Sequence, residues 1–272
     1  MENAKPFHIP NAMQWTMENN QGEPYRMMMW VPDTEAPPNG FPVYYLLDAN
    51  AIFATVTETI RVQSSGPRKL EPAVVVGIGY DSDKPIVTER RFKDYTLPAS
   101  PEELRKRKNG MAWPENGGIE EFLDFIEGKV KPEVARLTSI NRYRQAIFGH
   151  SLGGFLVLYT LFTRSEMFQY YAAGSPSVWW KNHIIYTYLD TYMSERAAVQ
   201  NNARQGSTRL FIGVGSEEPE GMVGGAEYVY QKLQNGVGTN LQTRFAHYQD
   251  ESHISMLLPF LSQVIRDFRN GG

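Results

Sequence analysis

The sequence predicts an α/β fold in which helices cover both faces of a mostly parallel sheet. The first observation is a series of short apolar runs rich in aromatic and branched residues, which are typical of buried strands. The second is that segments with helical period lie between these runs, an alternation typical of parallel sheets. The third is size: 272 residues with 42% hydrophobic content can bury a large core, and we expect one domain over residues 1–272.

Seven apolar runs are predicted to be strands, and the last of them is the weakest. The first two flank a segment rich in proline and glycine, so we expect them to be neighbours in the sheet. The predicted strands are 25–32, 42–48, 73–79, 143–149, 168–174, 209–215 and 243–248.

Five segments between or after these strands have the apolar spacing of helices. The last two run from acidic to basic residues and are apolar on one face. The predicted helices are 118–137, 152–164, 183–199, 225–234 and 253–269.

Residues 81–117 interrupt the alternation of strands and helices. This segment contains four prolines and many charged residues, and connections of such length are usually functional or disordered. In open α/β sheets, ligands bind beyond the carboxyl ends of the strands. We therefore expect 81–117 to be an insertion over those strand ends, as a cap or binding loop.

Charge and residue content exclude several classes of protein. The net charge of -3 gives no reason to expect nucleic acid or an acidic membrane as a partner. The absence of cysteine excludes disulfides, thiolate metal sites and a cysteine nucleophile. Residues 1–15 lack the apolar run of a signal peptide, and no stretch approaches the roughly 18 apolar residues that span a bilayer. We expect a cytoplasmic protein whose partner is a small molecule.

Residues 149–153, GHSLG, match the pattern G-x-S-x-G around Ser151. In this pattern the serine lies on a strained turn from strand to helix, where small neighbours leave its hydroxyl exposed. The local context fits, because an apolar strand precedes the motif and a helix follows it, with an N-terminal end that favours negative charge. The sequence therefore predicts an α/β-hydrolase fold with Ser151 as nucleophile. The alternative is an ordinary tight turn in which Ser151 only caps the helix.

His253 is the predicted general base. In this fold the histidine follows the nucleophile and the acid in chain order, and three histidines follow Ser151. His183 falls within a predicted helix and His247 within the last predicted strand. His253 follows that strand in a polar turn and opens the last predicted helix, so its imidazole can point back toward the serine and accept its proton. Capping of that helix is the alternative role.

The acid is expected after the strand that ends at Gly215, where the chain contains glutamates and no aspartate. A glutamate can hold the imidazole in one tautomer and stabilise the imidazolium as an aspartate does. We prefer Glu218, three residues past Gly215, and keep Glu217 and then Glu220 as alternatives. A catalytic pair of Ser151 and His253 without an acid, in which His253 hydrogen-bonds only to backbone, stays an alternative.

Acyl transfer also needs about two backbone N–H donors directed at the oxyanion. Leu152 N–H is the first by its position after the nucleophile. The second should come from the loop after strand 42–48, where we choose Asn50 and keep Ala49 as the alternative. This chemistry requires no metal and no cofactor.

Four segments resemble landmarks of the putative esterase family, which includes enterobactin and bacillibactin esterases. YYLLDANAIF resembles the family signature YxLDGNxxF, and GHSLGGFLVLY, GSPSVWW and ERRFKDYT resemble three further motifs. The motifs follow the family order, and the resemblance covers most of the chain. Two departures are Ala49, where the family usually has glycine, and the glutamate-rich acid region.

The resemblance implies hydrolysis of the trilactone backbone of catecholate siderophores, which releases iron carried into the cell. Ser151 and His253 match the nucleophile and base of the family. Arg90 or Arg91 would match basic residues that meet anionic catecholate groups, and Trp180 an aromatic residue near the pocket. Two other hypotheses are a carboxylesterase or thioesterase for small acyl groups, and a non-catalytic binding protein on a hydrolase scaffold.

Overall fold

The structure is a computed structural model that describes residues 5, 7–65, 70–106, 110–198, 208–236 and 241–270. These residues form one sheet of eight strands surrounded by helices. The strands are β1 (Ala12–Glu18), β2 (Pro24–Trp30), β3 (Phe41–Leu46), β4 (Val74–Gly79), β5 (Ile140–His150), β6 (Tyr170–Gly174), β7 (Thr208–Gly215) and β8 (Leu241–Tyr248).

The strands follow the order β1-β2-β4-β3-β5-β6-β7-β8 in the sheet. The pairings from β4 to β8 are parallel, whereas β1 pairs with β2 and β2 with β4 in antiparallel fashion. This arrangement confirms the mostly parallel sheet, and all seven predicted strands are present. The expectation that the first two predicted strands are neighbours was wrong, because the parallel crossover from β3 places β4 between β2 and β3.

Helices cover both faces of the sheet. Side chains of α1 and α9 form one buried cluster with one face, while α2, α3, α4, α5, α7 and α8 pack against the other. The helices are α1 (Ala49–Ser65), α2 (Thr88–Tyr95), α3 (Ile119–Phe125), α4 (Lys131–Leu137), α5 (Leu152–Thr163), the short α6 (Trp180–His183), α7 (Ile185–Ala198), α8 (Glu220–Gln234) and α9 (Leu257–Asn270).

The five predicted helices are all present, with changes in their ends. Helix 118–137 contains a π-helical turn, Ile126–Val130, between α3 and α4. Helix 183–199 begins only at Ile185, as α7 after the short α6, and its residue 199 lies outside the described residues. Helix 253–269 begins only at Leu257, so His253 lies in the turn before α9. Strand β1 and helices α1 and α2 were not predicted.

The insertion 81–117 contains α2 and a 3-10 turn at Pro101–Glu103, and its residues 107–109 lie outside the described part. Arg91 of α2 hydrogen-bonds to Asp48, just after β3, and to His150, the last residue of β5. The insertion therefore lies over the carboxyl ends of the central strands, as expected. Within the described ranges, no helix is both long and apolar enough to cross a membrane.

Candidate active site

Ser151 lies on the turn between β5 and α5. Its φ of 59° and ψ of -114° are a left-handed conformation that residues with a side chain rarely adopt. The chain passes itself closely here, because a Cβ on Gly149 would lie 2.2 Å from the Gly153 carbonyl oxygen. Ser151 N–H donates to the Gly174 carbonyl at 2.8 Å, which anchors the turn to β6. The G-x-S-x-G spacing thus forms the strained turn that the sequence predicts, with Ser151 half-buried on it.

Two hydrogen bonds connect three of the predicted site residues. His253 Nε2 lies 3.0 Å from Ser151 Oγ, and His253 Nδ1 lies 2.7 Å from Glu218 Oε2. The three side chains come from three different strand ends, β5, β7 and β8, which meet at one edge of the sheet. Their order, serine to imidazole to carboxylate, is that of a nucleophile, a base and an orienting acid.

The Glu218 side chain is fully buried, whereas Glu217 and Glu220 are exposed. Its Oε1 accepts hydrogen bonds from the Ser175 hydroxyl and, at 2.8 Å, from Gly215 N–H. Burial acts to raise the pKa of Glu218, but the hydrogen bonds from His253, Ser175 and Gly215 outweigh it and hold the pKa below its usual value. The carboxylate is therefore ionised at neutral pH.

His150, directly before Ser151, packs against the imidazole of His253 with ring centroids 4.6 Å apart. Burial first, and then the nearby His253 and Arg91, lower the pKa of His150 to about 3. A neutral His150 therefore adds no positive charge next to the imidazole that would accept the serine proton.

The backbone N–H groups predicted to stabilise an oxyanion lie at two helix starts. Leu152 is the first residue of α5, and Ala49 and Asn50 are the first two of α1. Ala51 N–H donates to the Asp48 carbonyl at 2.9 Å, whereas in the described part of the chain none of those three N–H groups donates to a backbone carbonyl. Asn50 and Ala49 therefore both stay candidates for the second donor.

Sequence reasoning gave no role to two buried serines after β6. Ser175 hydrogen-bonds to Glu218, and Ser177 Oγ lies 3.3 Å from Ser151 Oγ. Ser177 N–H also donates to the Ser151 carbonyl at 2.9 Å. Both belong to the motif GSPSVWW, so the motif marked the segment, but only the fold shows which hydroxyl meets which partner.

The two arginines expected to meet substrate are held by the protein itself. Arg91 donates from Nε to Asp48 Oδ1 at 2.8 Å and from a terminal nitrogen to the His150 carbonyl at 3.0 Å, and its side chain is 10% exposed. The Arg90 guanidinium lies over the rings of Tyr25 and Tyr80, at 4.9 and 5.1 Å. Arg91 thus connects the start of α1 to the end of β5 and is buried, whereas Arg90 packs on aromatic rings with its side chain 26% exposed, and its contact with substrate stays a prediction.

Trp180 is also a packing residue. It is fully buried, and its indole N–H donates to the Leu97 carbonyl at 2.9 Å. The neighbouring Trp179 is partly exposed, and the Arg105 guanidinium lies 4.1 Å from its ring centroid. The expected aromatic contact with substrate therefore does not fall on Trp180.

A cavity of about 350 Å³ lies in the insertion, between residues 99–106 and 110–116. Trp113 lines it and stands 5.7 Å from the ring of Trp179. Among the residues with described placement, no group of three or more histidine, aspartate and glutamate side chains is arranged to hold a metal ion.

The sheet order, the strained serine turn and the hydrogen-bonded set of Ser151, His253 and Glu218 define the class of protein as an α/β-hydrolase. Comparison with known proteins is more specific. Residues 19–254 match the model of the family described as "Putative esterase", and the chain belongs to this family. The resemblance of the four sequence motifs is thereby confirmed.

Several relatives in the family have names that include a substrate. The chain is 37% identical over 269 residues to ferri-bacillibactin esterase BesA of Bacillus subtilis, covering 97% of this chain and 91% of the relative. Its structure is similar to that of the BES protein from Bacillus cereus, with a TM-score of 0.91, 32% identity and coverage of 98% and 99%. Siderophore hydrolase EstA from Aspergillus nidulans is similar as well, with a TM-score of 0.80, 29% identity and 98% coverage of each chain.

Proposed function

We propose that this protein is a serine esterase that hydrolyses the ester bonds of a catecholate siderophore trilactone and so releases the bound iron. The observation that carries the proposal is the continuous set of hydrogen bonds from Ser151 through His253 to the buried Glu218. The substrate class rests on the relatives named as siderophore esterases, one of which aligns with 97% of this chain.

The geometry supports a two-step acyl transfer. His253 Nε2, 3.0 Å from Ser151 Oγ, accepts the hydroxyl proton as the oxygen attacks the ester carbonyl. The imidazolium then returns this proton to the leaving alcohol oxygen as the C–O bond breaks. In the second step His253 takes a proton from water, the hydroxide adds to the acyl-enzyme, and the released Ser151 oxygen regains a proton.

Two groups stabilise the charges that develop in each step. The Glu218 carboxylate accepts the Nδ1–H of His253 at 2.7 Å, which holds the imidazole in the tautomer that presents Nε2 to the serine and then stabilises the imidazolium. Leu152 N–H and an N–H at the start of α1, which we assign to Asn50, bind the oxyanion. Loss of one such donor typically lowers kcat by about 10² to 10³.

The test is digestion of intact trilactones. The wild-type protein is incubated with ferric and iron-free enterobactin and bacillibactin, and the products are identified by mass spectrometry. We expect linear trimer, dimer and monomer fragments from the wild-type protein and none from Ser151→Ala. A fluorophosphonate probe should label the wild-type protein covalently but not Ser151→Ala.

Each alternative has its own outcome in the same experiment. Rapid turnover of p-nitrophenyl or thiol esters without trilactone fragments would favour a carboxylesterase or thioesterase for small acyl groups. Failure of the probe to label the wild-type protein would favour a binding protein. We also propose a cytoplasmic location, because the expected substrate enters the cell with its iron; fractionation of cells that express the protein tests this.

A further inference from the structure

A single buried guanidinium joins the two backbone segments that carry the oxyanion donors. Arg91 Nε donates to Asp48 Oδ1 at 2.8 Å, and Asp48 directly precedes Ala49 and Asn50. A terminal nitrogen of Arg91 donates to the carbonyl of His150 at 3.0 Å, two residues before Leu152. One side chain of α2 thus holds the start of α1 and the nucleophile turn at once.

Both segments adopt a conformation that needs support. Asp48 has a φ of 51° and Ser151 a φ of 59°, in the left-handed region that residues other than glycine rarely adopt. Such conformations persist only where surrounding contacts maintain them. Arg91 binds the side chain of the first strained residue and the carbonyl directly before the second.

The contact is buried and reinforced from a second side. The side chains of Arg91 and Asp48 are 10% and 8% exposed, so little water competes for their hydrogen bonds. The Tyr95 hydroxyl accepts the N–H of Asp48 at 3.1 Å, and the Arg91 guanidinium lies 5.7 Å from the centroid of the Tyr95 ring. Helix α2 therefore holds Asp48 through both its carboxylate and its backbone.

We propose that Arg91 is a positioning residue that sets the distance between the two halves of the oxyanion hole, Leu152 on one side and Asn50 or Ala49 on the other. The inference rests on the proposed esterase chemistry but not on a siderophore as substrate. A planar guanidinium donates in two fixed directions, whereas a lysine ammonium at the end of a flexible stem cannot maintain both contacts in that geometry. Displacement of catalytic groups by about 1 Å can cost about 10² in rate.

The experiment compares Arg91→Lys with the wild-type protein on p-nitrophenyl acetate. Active sites are counted by fluorophosphonate titration, so that kcat refers to correctly folded sites. We expect kcat to fall by about 10², with KM within about threefold, because the donors act mainly in the transition state. The affinity for a trifluoromethyl ketone, which forms an oxyanion on Ser151, should fall by a similar factor.

Arg164→Lys is the matched control. Arg164 also binds acidic side chains, Glu120, Asp124 and Glu127, but it lies at the far end of α5 from Ser151. Its replacement should leave kcat per titrated site unchanged. A merely structural role of Arg91 would reduce the number of titratable sites while kcat per site stays at the wild-type value, and that result would overturn the proposal.

A second pair of variants applies if Arg91→Lys does not fold. Asp48→Gly accepts a positive φ without strain but offers Arg91 no acceptor, whereas Asp48→Asn keeps an oxygen acceptor and tolerates that φ. We expect Asp48→Gly to lose far more kcat than Asp48→Asn, and equal values in the two variants would refute the inference. Failure of the esterase proposal can be distinguished from failure of this inference. If the protein is not an esterase, even the wild-type protein will show neither labelling nor ester turnover.

Discussion

Replacement of Glu218 by glutamine is the sharpest test of the hydrogen-bonded set. Glu218 Oε1 already accepts two donors, the Ser175 hydroxyl and the Gly215 N–H, while Oε2 accepts from His253 Nδ1. In Glu218→Gln, those two donors will keep the amide oxygen at the Oε1 position. The amide NH₂ then faces His253 and donates to Nδ1, which forces the imidazole proton onto Nε2, opposite Ser151.

This tautomer cannot accept the serine proton, and the amide does not stabilise an imidazolium. Exchange of a carboxylate for an amide at the corresponding position of a serine hydrolase lowers kcat by about 10⁴. For Glu218→Gln we expect a fall of about 10³ to 10⁴, which corresponds to about 4 to 5.5 kcal/mol in the activation free energy. The glutamine has nearly the shape of glutamate, so KM should change little.

The assay is kcat for p-nitrophenyl acetate at pH 8, divided by the number of sites that a fluorophosphonate labels on long incubation. Glu217→Gln and Glu220→Gln are the matched controls, because both side chains are exposed and neighbour Glu218 in sequence. Both controls should retain wild-type kcat. A loss below tenfold in Glu218→Gln, or an equal loss in either control, would refute the reasoning.

Two further predictions concern stability. Gly224→Ala should raise the free energy of unfolding by about 0.5 to 1 kcal/mol, because its Cβ meets no atom within 4 Å inside α8. Gly225→Ala should lower the free energy of unfolding by about 1 to 3 kcal/mol, because its Cβ would lie 2.3 Å from Val178 Cγ2. Urea unfolding measures both variants, and a change of the same sign in both would contradict the two predictions. Burial raises the pKa of Asp94 to about 6 despite the nearby Arg90, so the folded state binds more protons than the unfolded state between about pH 4 and 6 and loses stability as pH rises. Asp94→Asn lacks this dependence, so its free energy of unfolding relative to that of the wild type should rise by up to about 3 kcal/mol from pH 4 to pH 7. If the free energies of unfolding of the two proteins change in parallel with pH, the prediction is wrong.

The sheet was largely predictable because its central strands are continuous apolar runs. Strand β1 was missed, since its side chains are exposed or only half-buried and its sequence is not apolar throughout. Helix α1 was missed for a different reason: it is rich in threonine, valine and isoleucine, which locally favour strands. Its Ile52, Val56 and Ile60 are spaced by four and buried against the sheet, and this packing decides the conformation.

Some residues of the candidate site could likewise be predicted from the sequence, and others could not. Ser151 was predicted as nucleophile from its motif and His253 as base from chain order, because both signals are local or topological. Position after Gly215 favoured Glu218 over Glu217 and Glu220, but only the conformation of their loop shows that Glu218 is buried and the other two are exposed. Trp180 was chosen from its motif, but packing places it in the core.

The sequence by itself determined the α/β-hydrolase class and predicted the turn at Ser151 and the chain order of the proposed catalytic residues, because each follows from spacing along the chain. The tertiary structure alone decided which side chains meet. Arg91 contacts residues 43 and 59 positions away, and Ser151 meets His253 over 102 positions. Contacts between such distant positions follow from the packing of whole helices on the sheet, which no local pattern specifies. For this reason Ser151 could be predicted as the nucleophile from its motif, whereas the contacts of Arg91 beside it could not be predicted.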